Sequence, residues 1–301
     1  MKKRILVFAL AIFLSTESMA QRTPALSPGT TVTQTVGITD FSVKYSRPAL
    51  RGRKVFRDSS TLAPLNQLWR TGANMPTTLE ASTEFTFAGK KVPAGKYALL
   101  SIPSGAAWTV ILNKKFDQGT ENYNETEDVA RVMVVPTSNE YNEFFKISID
   151  PVTDSTAYLN IAWSSVNVPV PISIRTENLT MDALNRAVAE KPEDTATLEA
   201  GAGYLLTKSK DLPVALAMAD KAIGLKESYY NMWLKAAILA KMEKYNEALP
   251  VAQRALTLGT PGDQAFTSFF KGQIEKTIAD VQPKVKQKAV ASTATGKKKK
   301  K

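Results

Sequence analysis

The chain has 301 residues, no Cys and no His, and a formal net charge of +11 from 39 Lys and Arg against 28 Asp and Glu. The two zeros exclude disulfides, Cys nucleophiles, Ser-His-Asp triads and metal sites built on His or Cys. With 44% apolar residues, a chain of this length predicts two packed domains and not a disordered polymer.

Residues 1–20 read as a secretory signal peptide. Lys2, Lys3 and Arg4 precede the apolar run Ile5–Leu14, and Ser18-Met19-Ala20 places small residues where a signal peptidase cuts. Cleavage after Ala20 and a periplasmic or secreted bacterial setting are expected, with residues 21–29 as a linker. No Cys follows the cleavage site to carry a lipid, and no other apolar run is long enough to be a transmembrane segment.

The charge is uneven. Three positive residues and Glu17 leave with the signal peptide. Val281–Lys301 holds eight Lys and no acid, so the body Gln21–Asp280 is left at +1. A near-neutral body offers no nucleic-acid surface. The Lys-rich tail, 281–301, lacks apolar periodicity; it is expected to be disordered, able at most to touch anionic surfaces.

Residues 30–175 carry the pattern of strands: short runs rich in Val, Ile, Thr, Phe, Tyr and Trp between turn residues. Strands are predicted at Thr31–Val36, Phe41–Tyr45, Gln67–Arg70, Thr77–Ala81, Glu84–Phe87, Lys96–Ile102, Trp108–Asn113, Ala130–Val135, Glu143–Asp150 and Ala157–Trp163. An eleventh, Val168–Ile174, is confined to an edge by Pro169 and Pro171. Such short strands with hairpin-length links predict an antiparallel sandwich or barrel.

From Glu177 the period becomes helical, with helices predicted over Thr197–Thr207, Leu212–Gly224, Ser228–Met242, Tyr245–Leu258 and Gln264–Ala279. A 33-residue repeat aligns Leu205 with Ile238, Ala215 with Ala248 and Ala222 with Ala255. With Trp233, Tyr245 and Glu247-Ala248-Leu249, residues 176–280 resemble tetratricopeptide repeats, which implies stacked helix pairs. The first repeat lacks a Trp, and a generic helical bundle is the plainer reading. The fold class is therefore multidomain: an N-terminal all-β antiparallel sandwich followed by C-terminal all-α tetratricopeptide-like repeats.

Long motifs mark the β half: Thr33–Asp40, Tyr45-Ser46-Arg47-Pro48, Gly52-Arg53-Lys54-Val55-Phe56, Leu68-Trp69-Arg70-Thr71-Gly72-Ala73-Asn74, Pro93–Leu99 and Trp108–Lys114. On these residues the stretch 27–172 resembles the exported bacterial family known as domain of unknown function 2911. The resemblance implies an all-β domain in an envelope or secreted setting and no assigned activity. Two departures stand out. The family commonly has an acid where Met75 stands, and aromatics where Gln118 and Glu121 precede Tyr123.

Arg, Asn and aromatic residues co-occur in these motifs. A planar Arg fork suits carboxylate, phosphate or paired hydroxyls, and indole or phenol faces stack on sugars. A shallow ligand-binding site for an anionic or sugar-like molecule is therefore expected at one end of the sandwich. Its candidate residues are Tyr45, Arg47, Arg53, Trp69, Arg70, Asn74, Trp108 and Asn113. The plainer alternative makes the same Arg and Trp residues internal clamps and core. In the repeats, Tyr204, Tyr229, Tyr230 and Trp233 are candidates for a protein partner.

No catalytic residue, cofactor or metal is assigned. Gly201-Ala202-Gly203 has no preceding strand and no third Gly, so it is not a dinucleotide fingerprint. Ser268-Phe269-Phe270-Lys271 lacks the companion motifs of penicillin-recognising enzymes. The acidic loop Asp117–Asp128 lacks calcium-loop spacing. A non-catalytic binding module is favoured; the alternative is an envelope glycan hydrolase using two carboxylates.

Overall fold

The computed structural model describes residues 23–296, with side chains described through Val285. Residues 1–20, expected to be a signal peptide, lie outside the described residues. The chain divides between Thr176 and Glu177, where the period of the sequence changes.

The β unit holds β1 (Gly29–Val36), β2 (Thr39–Ser46), β3 (Thr77–Ala81), β4 (Phe85–Phe87), β5 (Lys90–Val92), β6 (Gly95–Ile102), β7 (Trp108–Asn113), β8 (Asp128–Val134), β9 (Thr137–Val152) and β10 (Thr156–Ser173). Two antiparallel sheets form, of order β1-β2-β3-β6-β7-β8 and β5-β4-β10-β9. Strand alternation explains the layering. On β2, Phe41, Val43 and Tyr45 are buried while Asp40 and Lys44 face water. Phe41 meets Phe85 edge-on at 5.2 Å, and Tyr45 meets Phe145 at 5.6 Å, so the rings of one sheet lock onto the other.

Three elements differ from the sequence reading. Gln67–Arg70 forms only one bridge, Trp69 to Ser101, because left-handed Asn66 and Thr71 bend the chain on either side. β5 arises from a two-residue turn at Ala88-Gly89, both at positive φ, which closes a tight hairpin on β4. The last two expected strands are one long β10 with bulges. Its pairing with β9 ends at Asn167, so Pro169 and Pro171 stand where no donor is needed on that side.

The second unit holds α1 (Thr176–Glu190), α2 (Thr195–Lys208), α3 (Leu212–Leu225), α4 (Tyr229–Lys241), α5 (Tyr245–Leu258) and α6 (Lys271–Gly296), with a π-helical turn at Phe266–Phe270. The 33-residue period is visible in space: Ala215 and Ala222 on α3, and Ala248 and Ala255 on α5, are all fully buried. A small side chain at these points lets neighbouring helices approach. Ser228 and Asn231 form a reciprocal cap that starts α4. α6 runs beyond residue 280, where the folded part was expected to end. Val281 is buried against Leu239 and Ala248, and the Lys284 ammonium lies 4.9 Å from the Tyr245 ring centre. An apolar residue one helical face on from Ile274 and Ile278 explains the extension. Residues 297–301 lie outside the described residues. Among the described residues no helix is long and apolar enough to cross a membrane.

Candidate functional site

The Tyr45-Ser46-Arg47-Pro48 motif closes the free edge of β9. Tyr45 Oη donates to Ile147 O at 3.2 Å and accepts from Ile147 N at 2.9 Å. Arg47 Nε donates to Phe145 O, Phe145 N donates to Pro48 O, and Leu50 N donates to Glu143 O. One short segment thereby satisfies successive backbone groups that a sheet edge would leave open. Arg53 follows, donating to Leu50 O at 3.0 Å and Ala49 O at 2.9 Å. Glu143 accepts from Arg51 N at 2.7 Å and from the Tyr141 hydroxyl at 2.9 Å. The Arg51 N–H, then the Tyr141 hydroxyl, hold its carboxyl below the usual range.

The Trp69–Asn74 motif is a turn held by its own side chains. Thr71, Gly72 and Asn74 all have positive φ. Trp69 Nε1 donates to Gly72 O, Arg70 donates to Asn74 O, and Asn74 Nδ2 donates to Ser46 Oγ at 3.1 Å. The Trp69 ring is 5% exposed and stacks on Trp163 at 5.9 Å. Phe56, Trp108 and Phe145 complete this aromatic cluster. Six of the eight candidates, Tyr45, Arg47, Arg53, Trp69, Arg70 and Asn74, thus gather around 45–53 and 69–74. The indole faces are spent on neighbouring rings, and the polar atoms on backbone or, for Asn74, on the Ser46 hydroxyl.

Asn113 stands apart. Its Nδ2 donates to Asp128 Oδ1 at 2.8 Å and to Asn124 O, and its Oδ1 accepts from Lys115 N. Asp128 also accepts from the Tyr123 hydroxyl at 2.6 Å and from Arg131 at 3.2 Å. Burial, then the bond to Asp128, push the Tyr123 phenol up to about 12. This network pins the acidic loop to β8.

Two depressions open beside these frames. One, of about 320 Å³, is edged by Phe56, Ser104, Trp108, Thr137, Ser138 and Ser165, where β7 begins and β9 sets off. Phe56 holds φ +58 there, with its N–H on Ala63 O and its ring 4.7 Å from Trp108. The sequence reading placed Phe56 in a motif but not in the site, and it missed Ser104, Ser138 and Ser165, because scattered hydroxyls in loops carry no spacing signal. The other, of about 530 Å³, lies on the open face of β1–β3 and is lined by Thr33, Thr35, Asp40, Ser42, Glu80 and Ser82. Ser42 pairs with Glu80, so Asp40 and Glu80 are diagonal neighbours, with Cβ atoms about 7 Å apart. Both side chains face water, whereas the acid of a two-carboxylate hydrolase sits in apolar surroundings.

Residues 27–172 match the family described as Protein of unknown function (DUF2911). The β unit belongs to that family. No curated protein and no solved structure matches the chain. The motifs that identify the DUF2911 unit are therefore the same ones that cap β9, close the Trp69–Asn74 turn and build the aromatic cluster.

In the helical unit, the four candidates lie between helices. Tyr229 packs on Phe266 and Phe270, and Tyr230 stacks on Trp233 at 5.9 Å. Trp233 Nε1 donates to Thr277 Oγ1 at 3.3 Å, tying α4 to α6. Tyr204 packs in the α2–α3–α4 cluster, its hydroxyl buried without a hydrogen-bond partner. Burial pushes the Glu199 carboxyl up, and burial with the Glu199 charge pushes Tyr230 up. Phe269, 67% exposed, is the large apolar side chain left facing outward beside them.

Proposed function

We propose that this chain is an exported, non-catalytic binding protein. Its DUF2911 unit takes a neutral, hydroxyl-rich ligand of sugar type at the Phe56 end of the sandwich, and its helical repeats hold a polypeptide segment. In this reading the Arg, Asn and Trp motifs build the frame, and ligand contacts fall to the loops they position. Export rests on the signal peptide pattern of residues 1–20.

The observation that carries the reading is Phe56. A bulky residue at positive φ costs about 1–3 kcal/mol and persists only where the surroundings enforce it. Here it sets a ring in the lining of a depression that also carries the hydroxyls of Ser104, Ser138 and Ser165. The Ser104, Ser138 and Ser165 hydroxyls make no hydrogen bond to another described residue. Apolar ring plus spare hydroxyls, with no charge in the lining, suits a neutral sugar better than an anion.

A thermal-shift screen of the full chain against neutral and charged oligosaccharides tests this. Neutral sugars should raise the melting temperature, and Ser138→Trp, which plugs the depression, should abolish the rise. A rise that survives the plug, or none at all, removes the reading.

Asp40 and Glu80 give the hydrolase alternative its one foothold, a carboxylate pair in the separation range of glycosidases. Asp40→Asn and Glu80→Gln should leave ligand binding intact, and no glycan cleavage should be lost with them.

A further inference from the structure

A third depression, of about 270 Å³, lies on the outer face of the six-stranded sheet and shares no lining residue with the Phe56 end. Its polar lining is Lys44, Ser46, Thr78 and Lys96, and its apolar wall is Met75 and Phe116. We propose that this is a second binding site, specific for a small carboxylate with a short apolar tail.

The register places the two ammonium groups. Lys44 pairs with Thr78 across β2 and β3, and Glu80 pairs with Lys96 across β3 and β6. The lysines are thus two strands and two residues apart on one face, with Cα atoms about 12 Å apart. Side chains of that length can reach toward one another over the central strand, and both lysines line the depression. Lys44 has no ion-pair partner among the described residues. The Lys96 ammonium lies 5.2 Å from the Phe116 ring centre instead of on Glu80, which faces the neighbouring depression.

The remaining polar groups are also donors. Ser46 Oγ accepts from Asn74 Nδ2, so its hydrogen is free to point at a ligand, and the Thr78 hydroxyl makes no hydrogen bond to another described residue. Two ammonium groups and two hydroxyls leave the pocket rich in donors and poor in acceptors, which selects an anionic head. Beside them, Met75 is 57% exposed and Phe116 37% exposed, a flexible thioether next to a ring. Such a wall takes an alkyl chain without fixed shape demands. The volume lies below the roughly 300–1,000 Å³ of drug-sized sites, so the tail is short.

Titration calorimetry of the full chain with octanoate tests the site, with acetate and octanol as probes of head and tail alone. Octanoate should bind saturably, more weakly as salt rises, and at least tenfold more tightly than either control. The double variant Lys44→Gln/Lys96→Gln should lose at least tenfold in affinity, and Met75→Glu should do the same by placing an acid at the mouth. All three side chains are exposed, so circular dichroism should show the fold unchanged. Absence of saturable octanoate binding, equal binding of octanol, or unaltered affinity in the double variant overturns the proposal. None of these results touches the sugar reading at the Phe56 end.

Discussion

Tyr45→Phe removes one oxygen and keeps the ring. The Tyr45 side chain is 5% exposed and Ile147 is 1% exposed. Loss of the hydroxyl strips both the N–H and the C=O of Ile147 of the partner they share. A buried backbone group left without a partner costs about 1–3 kcal/mol, so two of them cost about 2–6 kcal/mol, with no cavity term because the ring still meets Phe145. That is a large share of the roughly 5–15 kcal/mol that holds a domain together. Urea unfolding followed by tryptophan fluorescence in a Trp233→Phe background reads the β unit alone, since Trp69, Trp108 and Trp163 all lie in it. The outward Tyr158→Phe, at 44% exposure, should stay within about 0.5 kcal/mol of the parent. A cost below about 0.5 kcal/mol for Tyr45→Phe would refute the edge-capping role of the motif.

Gly72→Ala should destabilise the β unit by about 1–3 kcal/mol, since φ is +150 and an added Cβ would lie 3.1 Å from Ser46 O; the same urea titration checks it. Ala255→Leu should cost the helical unit about 1–3 kcal/mol by overpacking a fully buried site, seen as an earlier loss of helical circular dichroism with β-unit fluorescence unchanged. Tyr123 should be the last phenol to ionise. Its folded pKa of about 12 stands above the ordinary 10.0, so the stability it contributes is full below pH 10 and is lost as pH rises toward 12. Phenolate absorbance should follow this loss, and Tyr123→Phe should remove that part of the alkaline dependence.

The architecture was legible because two periods dominate it. Alternation on β2 and β8 and the 33-residue spacing of Ala215 and Ala248 report burial, and burial decides both units. β5 was hidden because three residues carry no alternation, and only the Ala88-Gly89 turn creates it. The site was less legible for a physical reason. Arg47, Trp69, Arg70 and Asn74 have the chemistry of ligand contacts, yet the same donors serve backbone carbonyls or, for Asn74, the Ser46 hydroxyl, and sequence cannot say which acceptor a guanidinium or indole meets. Phe56, Ser138, Lys44 and Lys96 are drawn together by register and loop closure, so no linear spacing marks them.

Hydrogen exchange of the full chain, with and without a saturating pool of neutral oligosaccharides, addresses the central claim most directly. Exchange should slow in the segments around Phe56, Ser104-Gly105, Thr137-Ser138 and Ser165-Val166, and stay unchanged at Arg47–Arg53 and Arg70–Asn74. Slowing at the arginine motifs, or no slowing at the Phe56 end, would contradict it.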